Sequence, residues 1–163
     1  MHTGLKMKPN VQDGVSLYTY SRAEGDFHAE NVRIGDGRIV FDLVSPFGNI
    51  SDIELGVPVS VNIENGIAAI ALAQIAGASA EEIRKGMASF GGVDRRFDFH
   101  VKTDRMVYVS DYAHHPEEIR HCLESMKELY SGRRIKVIFQ PHLFTRTRDF
   151  YREFADALSL VDD

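Results

Sequence analysis

The apolar positions along this chain change period twice. Residues 15–20 alternate weakly between apolar and polar and are rich in β-formers, which predicts a strand. Residues 27–34 predict a second strand and residues 38–44 a third. Gly35, Asp36 and Gly37 mark a turn between them, so these two form a hairpin. Pro46, Phe47, Gly48 and Asn49 make another turn, and residues 50–55 read as a short strand. Between residues 58 and 77 the period lengthens. Ile63, Ile67, Ile70, Ala71 and Ile75 recur at three- and four-residue steps, the signature of a helix. Asn62 and Asn65 fall in its first turn, where asparagine is a strong cap, and Gly77 ends it. Ser79 and Glu82 open the next helix with a cap and an acidic first turn. Its apolar stripe is Ile83, Met87 and Phe90.

A second change follows Phe90. Gly91 and Gly92, then Asp94, Arg95 and Arg96, read as a linker, which divides the chain into residues 1–91 and 92–163. Beyond it strands and helices alternate: strands at 97–102, 106–109 and 135–139, helices at 117–130 and 147–160. Such alternation predicts a parallel sheet with right-handed crossovers. Ile135, Val137, Ile138 and Phe139 are nearly continuous apolar residues, as suits a strand buried on both faces. The fold class is α/β. So few parallel strands make a small domain, and the chain reads as a piece of a longer protein.

Composition narrows the function classes. The 163 residues are 44% apolar and 26% charged, an ordinary globular balance. A net charge of −5 argues against nucleic acid as a partner, and no apolar run approaches the roughly 20 residues of a membrane span. The single Cys122 cannot form an internal disulfide and reads as a small helix-face residue, and a reducing, cytoplasmic setting is the expectation. Residues 1–8 lack the apolar core of a signal peptide and read as a poorly ordered leader. Asp26, His28 and Glu30 alternate on one strand face and read as a solvated face rather than a metal site.

The chemistry concentrates in two strand-to-helix turns. The first carries Asp111, Tyr112, His114 and His115. The second carries His142, Arg146 and Arg148. In an open α/β sheet such turns lie at the carboxyl ends of the strands, where ligands bind. Two consecutive parallel strands would bring both to one sheet edge, with Arg146 just before a helix. The histidine spacing fits no compact zinc pattern. Arginines beside a histidine near a helix N-terminus suit a carboxylate or phosphate. Residue types alone stop at an anion-handling site with a carboxylate able to hold a sugar hydroxyl or an ammonium group.

Three motifs together resemble the Mur ligases of peptidoglycan synthesis. They are Asn62-Ile-Glu-Asn65-Gly, then Gly92-Val-Asp-Arg95-Arg96-Phe97, then Asp111-Tyr112-Ala-His114-His115-Pro116 with Gln140-Pro-His142-Leu-Phe-Thr-Arg146. The first is common across that family, and the others are typical of members acting at the alanine step. The resemblance implies that residues 1–91 are the β-rich tail of an ATPase domain with two helices. Residues 92–163 would then be the first half of a Rossmann-like parallel-sheet domain. It implies a ligase that uses ATP and Mg2+ to join L-alanine to UDP-N-acetylmuramate through an acyl phosphate, with the metal ligands mostly outside this chain. It places Asn65 near adenine, Arg95 and Arg96 near the phosphates, and Asp111 on the ribose. Tyr112, His114, His142 and Arg146 would line the place of alanine and the new amide bond, with His114, His142 and Arg146 closest to the chemistry.

The sequence departs from the family pattern in three places. Val61 stands where the family usually has a histidine beside adenine, and Leu143 where it often has arginine. The chain contains no Gly-x-x-Gly-Lys-Thr phosphate loop, so by itself it is expected to be inactive. Two other readings stay open: a ligase that reattaches recycled murein peptides to the same sugar nucleotide, and a non-catalytic binding module.

Overall fold

The computed structural model describes residues 1–7 and 9–161. It divides into two compact units, residues 1–34 with 38–90 and residues 35–37 with 91–163.

The first unit is a three-stranded sheet covered by two helices. Its strands are β1 (His28–Gly35), β2 (Arg38–Val44) and β3 (Ile50–Glu54), in the order β1-β2-β3. Asp36 (φ 50°) and Gly37 (φ 69°) make the two-residue turn between β1 and β2, with both residues in the left-handed region that tight hairpins require. β2 pairs antiparallel with β3, Phe41 opposite Ile53 and Leu43 opposite Ile50. The period of two along β2 sends Ile39, Phe41 and Leu43 inward, each with no solvent exposure. On α1 (Val61–Ile75), Ile63, Ile67 and Ile70 are spaced along one helical face and are at most 1% exposed. Each such side chain contributes roughly 1.5–3 kcal/mol of burial. Gly66 sits where a Cβ would crowd the Met87 side-chain end at 2.9 Å and Leu55 Cδ2 at 3.3 Å.

Helix ends follow local chemistry. At the C-terminus of α1, Gly77 (φ 90°) donates its N–H to Gln74 and Ala78 donates to Ala73, so two orphan carbonyls are satisfied. Helix α2 (Ala80–Ser89) opens as expected. Ser79 Oγ accepts from Glu82 N–H, and the Glu82 carboxylate accepts from Ser79 N–H at 2.8 Å.

Four expectations for this unit need correction. Residues 15–19 form no strand; only Tyr20 bridges, to His2 and Phe27. The segment is tied instead by the Asp26 carboxylate, which accepts from Thr19 N–H and Oγ1 at 2.7 and 2.8 Å. The first three residues are tied down, since Thr3 N–H donates to Tyr20 and Tyr20 N–H donates to Met1, while residue 8 lies outside the described residues. Neither asparagine caps α1, whose N-cap residue is Ser60. Asn62 Nδ2 donates back to the Val57 carbonyl, and Asn65 Nδ2 donates to Asn62 Oδ1. Phe90 leaves the stripe of α2, ends that helix in extended conformation and is 53% exposed.

The second unit holds β4 (Asp98–Lys102), β5 (Val107–Ser110), α3 (Pro116–Leu129), α4 (Phe144–Asp149) and α5 (Tyr151–Leu158). Mixed α/β architecture is present, but the parallel sheet is not found among the described residues. β4 and β5 pair antiparallel, from Asp98 opposite Ser110 to Lys102 opposite Val107. Only residues 103–106 separate them, closed by Thr103 N–H donating to Met106, and a parallel crossover needs a dozen residues or more. Residues 135–139 carry no strand pairing. Val137 and Phe139 pack on the core of Ile119, Leu123, Phe154 and Ala157, while Ile138 is fully exposed. A cavity of about 710 Å³ opens among β5, α3 and residues 133–139. The helix expected at 147–160 starts earlier and breaks. Phe150 (φ −120°, ψ 25°) separates α4 from α5 and sets its ring 5.3 Å from that of His115.

Candidate functional site

The turn that leaves β5 is built around two carboxylates. Asp111 Oδ1 accepts from Ala113 N–H at 2.7 Å and its Oδ2 accepts from Phe97 N–H at 2.8 Å. Glu118, in the first turn of α3, accepts from His114 N–H at 2.9 Å and His115 N–H at 3.1 Å. Those donors hold the Glu118 carboxyl below its ordinary range, the His114 N–H first among the causes. Pro116 at the first helical position and Glu117 and Glu118 in the first turn explain why α3 begins here.

His114 lies beside the Glu118 carboxylate, its Nδ1 3.4 Å from Oε2. Its Nδ1 lies 2.9 Å from the Tyr112 carbonyl, which can only accept. Nδ1 therefore carries the proton, and Nε2 is the acceptor of the neutral ring. The Tyr112 and His114 rings lie 5.2 Å apart. Arg95 reaches the same turn from the linker. Its carbonyl accepts from Tyr112 N–H at 2.6 Å, and its guanidinium lies 5.2 Å above the Tyr112 ring. From the second turn, Arg146 Nη1 donates to the His114 carbonyl at 3.3 Å, across 32 residues of chain.

Arg95, Asp111, Tyr112, His114 and Arg146 are thus connected within one unit. Other residues singled out in the sequence are not. His142 is exposed and joins none of these contacts among the described residues. Arg96 is exposed, with its N–H on the Val93 carbonyl, and Arg148 pairs with Asp149 at 2.8 Å. Asn65 belongs to the first unit, exposed on α1. Arg146 does not precede a helix. It lies in the last turn of α4, where the dipole no longer favours an anion, so any anion site here rests on the guanidinium itself.

Glu118 was missed in the sequence reading, although its place three residues after His115 is a capping signal. The Phe97 N–H was missed too, since a backbone donor leaves no trace in residue type. Cys122 faces the cavity. Burial, then the charge of Asp111, pushes its thiol up to about 12, which makes it inert.

Residues 95–163 match the family described as Mur ligase, glutamate ligase domain. That match and the relatives below are Mur ligases, which the chain resembles. It is 63% identical over 160 residues to the UDP-N-acetylmuramate–L-alanine ligase of Phocaeicola vulgatus, which covers 98% of this chain and 35% of that protein. The enzyme of the same name from Parabacteroides distasonis is 58% identical over 161 residues, again covering 98% and 35%. Among solved structures, the UDP-N-acetylmuramate–alanine ligase of Thermotoga maritima superposes with a TM-score of 0.75 at 29% identity, covering 90% of this chain and 33% of that one. The chain spans about a third of the length of the curated relatives it matches.

Proposed function

We propose that this chain is part of an ATP-dependent ligase that joins L-alanine to UDP-N-acetylmuramate through an acyl phosphate, in cytoplasmic peptidoglycan synthesis. The observation that carries the reading is the 63% identity over 98% of this chain to a protein of that name. In this reading residues 1–91 end the central ATPase domain and residues 92–163 begin the C-terminal domain.

The geometry supports an anion-handling role. The Arg95 guanidinium stacks on the Tyr112 ring and the Arg146 guanidinium donates to the His114 carbonyl, and neither has a carboxylate ion pair among the described residues, so both suit a phosphate or carboxylate group. Arg95 and Arg96 take the phosphates, Asp111 the ribose and Asn65 the adenine. Tyr112, His114, His142 and Arg146 take the alanine and the forming amide. ATP supplies the phosphoryl group that activates the lactyl carboxylate. His114 Nε2 is the acceptor through which this turn receives a proton from the attacking amine, and Arg146 orients the carboxylate end of the amino acid. Mg2+ would be held mostly by phosphate oxygens and by groups outside this segment. No group of three His, Cys, Asp or Glu residues able to hold a metal occurs among the described residues. Nor is any described helix long and apolar enough to cross a membrane.

The test is coupling by the complete ligase. L-Alanine should be incorporated into UDP-N-acetylmuramate only when ATP is present. Faster incorporation of a murein tripeptide than of alanine would replace this reading with the recycling ligase.

A further inference from the structure

Asp111 does more in this structure than face a sugar. We infer that Asp111 is a positioning residue for Arg95, acting through the backbone of residues 95–97. The inference rests on the ligase reading for its kinetic consequence, but not for its structural one.

The β4–β5 ladder ends at the pair Asp98 and Ser110. Asp111 is the next residue, opposite Phe97, and the chain turns away there. Its side chain adds a rung that the backbone does not make. Oδ2 takes the Phe97 N–H while Oδ1 pins the turn at Ala113 N–H. What this rung holds is a strained segment. Phe97 sits at φ 48° and Arg95 at φ 63°, the left-handed region that side chains other than glycine adopt at a cost. Phe97 is also buried, with its ring edge-on to Phe99, so it cannot relax by swinging into solvent.

The consequence reaches Arg95 by a second route. Tyr112, the residue after Asp111, donates its N–H to the Arg95 carbonyl and lays its ring under the Arg95 guanidinium. Asp111 and Tyr112 thus hold Phe97 and Arg95 in order, one by side chain and one by backbone and ring. Loss of the Asp111 carboxylate frees the Phe97 N–H, relaxes the left-handed pair and lets the guanidinium leave the Tyr112 face. A carboxylate offers about four acceptor positions. Holding two backbone donors therefore leaves room for a ribose hydroxyl, and the two roles separate by experiment.

A double-mutant cycle in the complete ligase makes that separation. Wild type, Asp111→Asn, Arg95→Ala and the double variant are compared by kcat/KM for ATP, with a thermal melt of each. Asparagine keeps the shape but removes the charge and one acceptor. A positioning role predicts a loss for Asp111→Asn about tenfold larger in the wild type than in the Arg95→Ala background, where only the ribose contact remains to be lost. Losses that multiply would mean that Asp111 acts independently of Arg95, and would overturn the inference. Should Asp111→Asn fail to fold, Asp111→Glu, which keeps the charge but shifts the carboxylate by one methylene, serves in the same cycle. Amide exchange at Phe97 reads the clamp without catalysis. It should quicken tenfold or more in the Asp111 variant, and unchanged exchange overturns the proposal even if the ligase is active. A wild-type protein that does not couple alanine defeats the ligase reading alone.

Discussion

The two units spend their side chains differently. In the first, Phe27, Ile39, Phe41, Leu43, Ile50, Ile53, Ile63, Ile67 and Ile70 are at most 2% exposed and sheet faces helix across one core. In the second, the cluster described is Ile119, Leu123, Phe154 and Ala157, with Val137 and Phe139 half-buried against it, and a cavity of about 710 Å³ opens beside it. The chemistry follows the same division. Arg95, Tyr112, His114 and Arg146 all belong to the thinly packed unit, on turns where polar groups reach solvent. The first unit is specified by packing. The second is specified by hydrogen bonds to backbone at the ends of elements.

The largest expected effect tests that contrast in the cores. Phe41→Ala empties the centre of a closed core and should cost about 3–5 kcal/mol. Phe154→Ala removes a ring stacked 5.2 Å from Phe139, which lines the cavity and has room to move, and should cost about 3 kcal/mol or less. Denaturant titrations of the two variants give the comparison. Equal losses would mean that the second core is as closed as the first.

The contrast also explains what the sequence shows and what it hides. Where burial sets the structure, period is enough. The β2 alternation and the α1 stripe of Ile63, Ile67 and Ile70 are visible in residue types, and β1, β2, β3, α1 and α2 stand within a few residues of their expected places. Where backbone hydrogen bonds set it, period misleads. Residues 135–139 look like a buried strand, but a strand exists only when a partner accepts its ladder, and apolar content carries no information about that partner. The antiparallel turn of β4 and β5 is legible in the short gap between the expected strands, too short for a crossover, although the α/β alternation points the other way. Asp111, Tyr112 and His114 are adjacent in sequence, so their sharing of one turn was plain. The clamp on Phe97 and the reach of Arg146 to the His114 carbonyl were not, because both partners are backbone atoms. The break at Phe150 has no proline or glycine to announce it.

A second effect sharpens the comparison on the side of chemistry. If Arg146 orients the alanine carboxylate, Arg146→Lys keeps the charge but loses the planar fork and cannot hold the same two-point geometry. The complete ligase should lose about tenfold in kcat/KM for alanine, roughly 1.4 kcal/mol in the barrier. Its melting temperature should stay unchanged, since Arg146 makes one long contact on a half-exposed turn. A silent substitution would reduce Arg146 to a surface cation.

Smaller still is the cap of α2, a case where the well-packed unit relies on a hydrogen bond. Ser79→Ala removes the side-chain half of the capping box and should cost about 1 kcal/mol. The effect carries a pH signature. The Ser79 hydroxyl and then its N–H hold the Glu82 carboxyl below its ordinary range. A carboxylate with a depressed folded value adds stability above its unfolded value and loses it as pH falls through the folded one. The gap between wild type and Ser79→Ala should therefore be full near neutral pH and narrow as the carboxylates protonate. A gap independent of pH would show that Glu82 does not take part.

The smallest effect expected is no reaction at all, and it probes the weak side of the second unit. Cys122 lines the cavity, so access and reactivity make opposite predictions for it. If the cavity admits water freely, the thiol should ionise like an exposed one and alkylate quickly. If α3 and residues 133–139 keep it dry, desolvation and the nearby Asp111 charge hold the thiol at about 12. Against an ordinary value of 9.0, that leaves about a thousandfold less thiolate at neutral pH, and the thiolate is the species that reacts. Iodoacetamide labelling of the native chain should then be slower than labelling in denaturant by about that factor, and Asp111→Asn should quicken it modestly by removing the charge. Native labelling as fast as denatured labelling would mean that the cavity is an open cleft, and that the second unit lacks even the thin core described above.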